Sequence, residues 1–150
     1  MKKYIIILTA LLSIVSCNKK DKCTETPMAI LQFDSDYGCT DSKHTLKIDL
    51  VNNVTVIRDK TTYDYEVSGG CHPAVDFTVY DLVIGKQSLD YLNDTITYDL
   101  RNACPDNILT LTVNLTQSSV AEKDTVVYHA LIPKIEDQGN ITVSLILKQN

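Results

Sequence analysis

The chain has 150 residues, a formal net charge of -5 and no tryptophan. That length suits one domain with a real core, since a chain of this size buries roughly two-thirds of the surface it exposes when unfolded. The acidic balance excludes nucleic acid as a partner, which needs a basic patch to neutralise phosphates. The lack of tryptophan weakens sugar binding by ring stacking.

Lys2 and Lys3 give the chain a basic start, and an apolar run extends from Tyr4 to Val15. At about twelve residues the run is too short for a spanning helix, which needs roughly 20, but it suits a secretory signal. It closes on Ile14-Val15-Ser16-Cys17. An aliphatic residue, a small or aliphatic one, a small one and then cysteine resembles the lipobox of bacterial lipoproteins. The resemblance covers residues 1–17. It implies removal of residues 1–16, acylation of Cys17 with palmitate-type chains, and anchoring to a membrane. Several chains anchor stably, because each buried CH₂ contributes ~0.8 kcal/mol. Residues 17–23 read as a polar tether, with Lys19, Lys20 and Lys22 able to lie against anionic headgroups. Asn18 stands where many lipoproteins held at the inner membrane carry aspartate, which implies the outer membrane of a Gram-negative bacterium. Residues 24–150 form the single folded domain.

With Cys17 assigned to lipid, an even set remains: Cys23, Cys39, Cys71 and Cys104. In an oxidising compartment this reads as two disulfides. The spacing leaves three pairings open, of which Cys23–Cys39 with Cys71–Cys104 is preferred. That choice pins the tether to the domain and joins two loops, residues 69–73 and 102–106. No Cys-x-x-Cys occurs, which disfavours a thiol metal site or a redox role.

The domain reads as strand after strand. Residues 28–33 suit an edge strand. Residues 45–51 alternate, with Leu46, Ile48 and Leu50 on one face, and Asn52-Asn53 supplies a turn because asparagine tolerates positive φ. Residues 54–58 return. Asp59-Lys60 suggests a second turn, followed by residues 61–68 with Tyr63, Tyr65 and Val67 on one face. Residues 74–84 are apolar on both sides, as in a strand covered on both faces or carrying a bulge. Residues 88–92 suggest a helical turn. Residues 94–100 alternate again. Residues 108–117 alternate most cleanly, Leu109, Leu111, Val113 and Leu115 against Thr110, Thr112, Asn114 and Thr116. Residues 125–133 and 141–148 complete the set, separated by a turn at residues 138–140. Eight or nine short strands with regular turn signals predict an all-β antiparallel sandwich, Greek-key or immunoglobulin-like in its connections, with an up-and-down barrel second.

Candidate sites are few. Asp34, Asp36 and Asp41 flank Gly38 in a loop whose spacing approaches a calcium loop, although no glutamate closes a twelve-residue frame. The bland alternative is a polar connection with Asx turns. His44, His72 and His129 are scattered without a metal-binding spacing, and no nucleophile elbow is present. Asp94-Thr95-Ile96 and Asp124-Thr125-Val126 each resemble the Asp-Thr-aliphatic acceptor of Gram-negative O-glycosylation systems, which implies sugar on Thr95 or Thr125. The expectation is a non-catalytic binding or structural module, held to the membrane by its lipid and meeting an envelope protein or a glycan, without a cofactor. A small hydrolase or a hydrolase inhibitor is the alternative.

Overall fold

The computed structural model describes residues 25–103, 108–135 and 141–150. Cys17, Cys23, Cys104, the 17–23 tether and the 138–140 turn lie outside them. The described residues form β1 (Thr26–Met28), α1 (Phe33–Asp36), α2 (Ser42–Thr45), β2 (Leu46–Lys47), β3 (Asn53–Ile57), α3 (Lys60–Glu66), β4 (Ser68–Gly69), β5 (Tyr80–Leu89), β6 (Asn93–Ala103), β7 (Ile108–Gln117), β8 (Asp124–Pro133) and β9 (Ile141–Gln149). The fold is an all-β sandwich. One sheet runs β1-β6-β7-β9, the facing sheet runs β3-β5-β8, and β2 and β4 form a short clip.

The strands that alternate most cleanly in sequence make the frame. β6 and β7 pair antiparallel with Leu100 opposite Leu111 and Tyr98 opposite Val113. Because β8 crosses to the other sheet between them, β9 returns parallel to β7, with Leu145 beside Val113. The inward residues Leu100, Leu111, Val113 and Leu115 meet Val83, Val126, Tyr128, Ala130 and Ile132 of the facing sheet.

The two-sided apolarity of β5 has a direct cause. Its other face, Leu82 and Ile84, joins Ile57, Val127 and Leu131 in a second core, covered by Phe33, Leu46, Ile48, Tyr63 and Val67. The three-stranded sheet is therefore buried on both sides, by its partner sheet and by a layer of short helices and loops. Gly85 lets the Tyr128 ring lie against the strand, since a Cβ there would stand 2.2 Å from it.

Several expected strands are absorbed into that covering layer. Residues 60–66 are the helix α3, not a strand. Tyr63 and Val67 are apolar at an i, i+4 spacing that an alternating pattern also satisfies. The Asp59 carboxylate decides between them by accepting the N–H of Thr62 at 2.9 Å and its hydroxyl at 2.8 Å, which caps the helix. Tyr65 consequently points away from the core and is 90% exposed. Residues 45–51 pair only at Leu46 and Lys47, with Gly69 and Ser68, although Leu46 and Ile48 are buried as the alternation requires. Asn52 does adopt positive φ, 46°, but the strand it introduces, β3, pairs with β5. Residues 74–79 do not extend β5, because the Asp76 carboxylate takes the Thr78 N–H at 2.9 Å and folds the chain into a turn. The helical turn expected at residues 88–92 is absent, and β5 continues to Leu89. The edge strand expected at residues 28–33 starts earlier, as β1, and leaves Leu31 as a single bridge to Leu131.

The disulfide pairing also differs from the preferred one. Cys39 is bonded to Cys71, with Cα atoms 5.7 Å apart. Both cysteines belong to the covering layer, so the bridge fastens the loop after α1 to the loop after β4.

Candidate functional site

The most site-like constellation lies where the covering layer meets β8. Phe33 opens α1 with its side chain fully buried, its ring 4.5 Å from the His129 ring by centroids. Its backbone N–H donates to His129 Nε2 at 3.2 Å. The next residue, Asp34, accepts the Ser42 N–H at 3.1 Å and the Ser42 hydroxyl at 2.6 Å. Ser42 Oγ stands 3.4 Å from His129 Nε2. Asp34, Ser42 and His129 line one side of a hollow of about 260 Å³, with Lys43, Asp94 and Tyr98 also on its walls.

Serine, histidine and aspartate together suggest nucleophilic chemistry, but the connections differ from those a triad requires. There, serine donates to one histidine nitrogen and the carboxylate holds the other. Here Ser42 donates to the carboxylate itself. Nε2 already accepts from Phe33, which places the neutral ring's proton on Nδ1. That Nδ1 is buried with no hydrogen-bond partner among the described residues. Burial holds the His129 pKa down at about 4, against a weaker upward pull from Asp34. Ser42 is fully buried. The arrangement pins α1 and α2 onto β8 and directs the hydroxyl's proton to Asp34, not to His129.

Next to this cluster is a polar network at the same end of the sandwich. Asn93 spans a register irregularity between Asn93 and Thr95, its amide donating to the carbonyls of Thr95 and Thr116, both at 3.2 Å. Lys43 Nζ donates to the Asn93 carbonyl and side-chain oxygens at 3.1 and 3.2 Å. The Asn93 N–H goes to Asp124 at 2.9 Å. Burial raises the Asp124 pKa, but hydrogen bonds from Asn93, His44 and Thr125 outweigh it and leave a net lowering. Thr95 and Thr125 are both exposed.

The three candidate calcium ligands are not brought together. Asp34 serves Ser42. Asp36 takes the Gln32 N–H at 2.7 Å and the Ser35 hydroxyl at 2.6 Å, and these bonds, the backbone one foremost, lower its pKa. Asp41, at φ 50°, pairs with His44 at 2.9 Å. Among the described residues no three acidic, histidine or cysteine side chains converge as a metal site. His72 follows the bridged Cys71 and stacks on Tyr63, centroids 4.2 Å apart. The expected staple between residues 69–73 and 102–106 is replaced by the Cys39–Cys71 bond.

Two arrangements carry little sequence signal. Asp81 is wholly buried in β5, accepts the Ile135 N–H at 3.1 Å and lies 2.9 Å from Lys134 Nζ and 3.8 Å from Arg58 Nε. An acidic residue inside an apolar strand was the only hint of it. The other is a cleft of about 460 Å³ between α3 and the residues before β3, lined by Ile48, Asp49, Leu50, Thr55, Tyr65 and Glu66. Reading residues 61–68 as a strand hid it, because it forms only when Tyr65 lies on the outer side of a helix. No family model, curated protein or solved structure matches this chain.

Proposed function

We propose that the chain is a lipid-anchored envelope lipoprotein whose domain is a non-catalytic binding or structural module. The observation that carries the reading is the Cys39–Cys71 bond. Disulfides of this kind belong to oxidising compartments, which agrees with an export signal ending at Cys17 and with a cysteine reserved for lipid. The outer membrane of a Gram-negative bacterium is the site of anchoring, and an envelope protein or glycan is the partner. Thr95 and Thr125 are the residues proposed to carry O-linked sugar, and their exposure supports this.

The wiring of Asp34, Ser42 and His129 speaks against the hydrolase alternative, since the serine is buried and its proton is directed to a carboxylate. The reading is tested by cross-linking the full chain in intact envelopes, beside a Cys39→Ser/Cys71→Ser variant. A defined partner captured only by the bridged form supports a recognition surface held by the disulfide. Capture of nothing by either form, together with turnover in hydrolase screens that Ser42→Ala abolishes, overturns it.

A further inference from the structure

We propose that the cleft between α3 and residues 48–50 receives a lysine or arginine side chain from an extended basic segment of a partner protein. This assignment rests on the reading of the domain as a binding module and names the chemistry of what it binds. The floor is apolar, supplied by the buried Ile48 and the half-buried Leu50, and Thr55 adds a hydroxyl on one wall. Asp49 and Glu66 supply two carboxylates, and no lysine or arginine is among the lining residues. Lys86 reaches the Ile48 carbonyl at 3.3 Å but lies outside the lining.

Tyr65 is the decisive residue. Two positions apart on a helix, Tyr63 and Tyr65 face opposite ways. Tyr63 is spent on the core against Phe33, His72 and Phe77. Tyr65 is 90% exposed and contributes nothing there. Among the described residues, Asp49, Tyr65 and Glu66 make no ion pair, side-chain hydrogen bond or ring contact with the rest of the chain. An aromatic face beside unpaired carboxylates over an apolar floor fits a long aliphatic stem ending in a cation: the stem lies on Ile48 and Leu50, and the head meets the ring and the carboxylates. One wall of the site is fixed in place: Asp59 caps α3, Tyr63 and Val67 anchor it, and Thr55 belongs to β3, which lessens the ordering needed on binding. Val51, 80% exposed beside the cleft, extends the apolar surface for the segment's neighbouring residues.

The test is a titration of the isotope-labelled full chain in a neutral detergent with pentalysine, and separately with pentaserine, followed by amide chemical shifts. Expected are shifts confined to residues 48–50, 55 and 65–66 with pentalysine alone. Tyr65→Ala weakens binding by roughly threefold or more, and Tyr65→Phe, which keeps the ring, retains it. Asp49→Asn with Glu66→Gln weakens it at least as much. All of these side chains are exposed at the cleft, so the variants keep the fold. Shifts scattered over the acidic surface, or binding indifferent to Tyr65→Ala, overturn the assignment. If pentalysine misses the cleft while cross-linking in envelopes still captures a partner, the cleft assignment falls and the binding-module reading stands.

Discussion

His129 Nε2 accepts the backbone N–H of Phe33 at 3.2 Å across 96 residues of chain. The bond is available only to a neutral ring, and burial keeps the ring neutral by lowering its pKa to about 4 from an ordinary 6.5. A histidine with a depressed folded-state pKa takes up its proton first in the unfolded chain. Its contribution is therefore fully present above about pH 6.5 and is lost as the pH falls toward 4, amounting to about 3 kcal/mol by linkage. Urea midpoints at pH 7.5 and 4.5 should differ accordingly, and His129→Asn should flatten the difference. Asp36, Asp59, Asp76 and Asp124 have lowered pKa values too, but theirs act below the ordinary carboxylate value of 3.8, outside this window.

Ser42→Ala removes a buried hydroxyl from Asp34 and leaves one carboxylate oxygen with a weaker shell. The expected loss is about 1–2 kcal/mol of stability, read from chemical denaturation, with partner capture in envelopes unchanged. Loss of capture at preserved stability would instead give Ser42 a direct part in recognition.

The Cys39–Cys71 bond closes a loop at a sequence separation of 32. Cys39→Ser/Cys71→Ser should cost about 3–4 kcal/mol through the entropy of the unfolded chain. Peptide mapping without reduction is expected to find Cys39–Cys71. Recovery of Cys71–Cys104 would contradict the fold's covering layer directly.

Asp81 is a buried charge held by Lys134 and by the Ile135 N–H, with Arg58 3.8 Å away. Lys134 is partly exposed and also donates to the Arg58 carbonyl at 2.9 Å, so Asp81→Ala leaves chiefly the Ile135 N–H without its acceptor and should destabilise by roughly 1–3 kcal/mol. A thermal melt checks this, and a change below 1 kcal/mol would mean that water already solvates the group.

Gly85→Ala drives a methyl into the Tyr128 ring, whose Cζ lies 2.2 Å from the ideal Cβ position. The ring is buried and cannot swing out, so about 1–3 kcal/mol of overpacking is expected. Denaturation of Gly85→Ala and of Gly85→Ala/Tyr128→Leu separates the steric cost, which the second change relieves, from a backbone effect, which it does not.

The frame was legible because β6, β7, β8 and β9 carry long runs of alternating or β-branched apolar residues that suit strands buried on one face or both. The covering layer was not. Tyr63, Tyr65 and Val67 fit a period of two, while Tyr63 and Val67 alone fit one helical turn, and only the Asp59 cap distinguishes the cases. Residues 45–51 show the right buried face but find a pairing neighbour only at Leu46 and Lys47, which no local pattern reports. The Asp34–Ser42–His129 cluster joins two residues eight positions apart to a third 87 positions further on, and each residue alone has an ordinary surroundings-dependent role. The pairing of Cys39 with Cys71 depends on that same layer, which the spacing of the cysteines does not report.

The most direct measurement is the mass of the N-terminal peptide from the full chain expressed in a Gram-negative host with lipoprotein processing. Processing at the lipobox-like run is expected to leave residues 1–16 absent and Cys17 as the first residue, bearing acyl chains, with the modification lost in Cys17→Ser. A chain cut elsewhere, or an intact N-terminus with an unmodified Cys17, would contradict it.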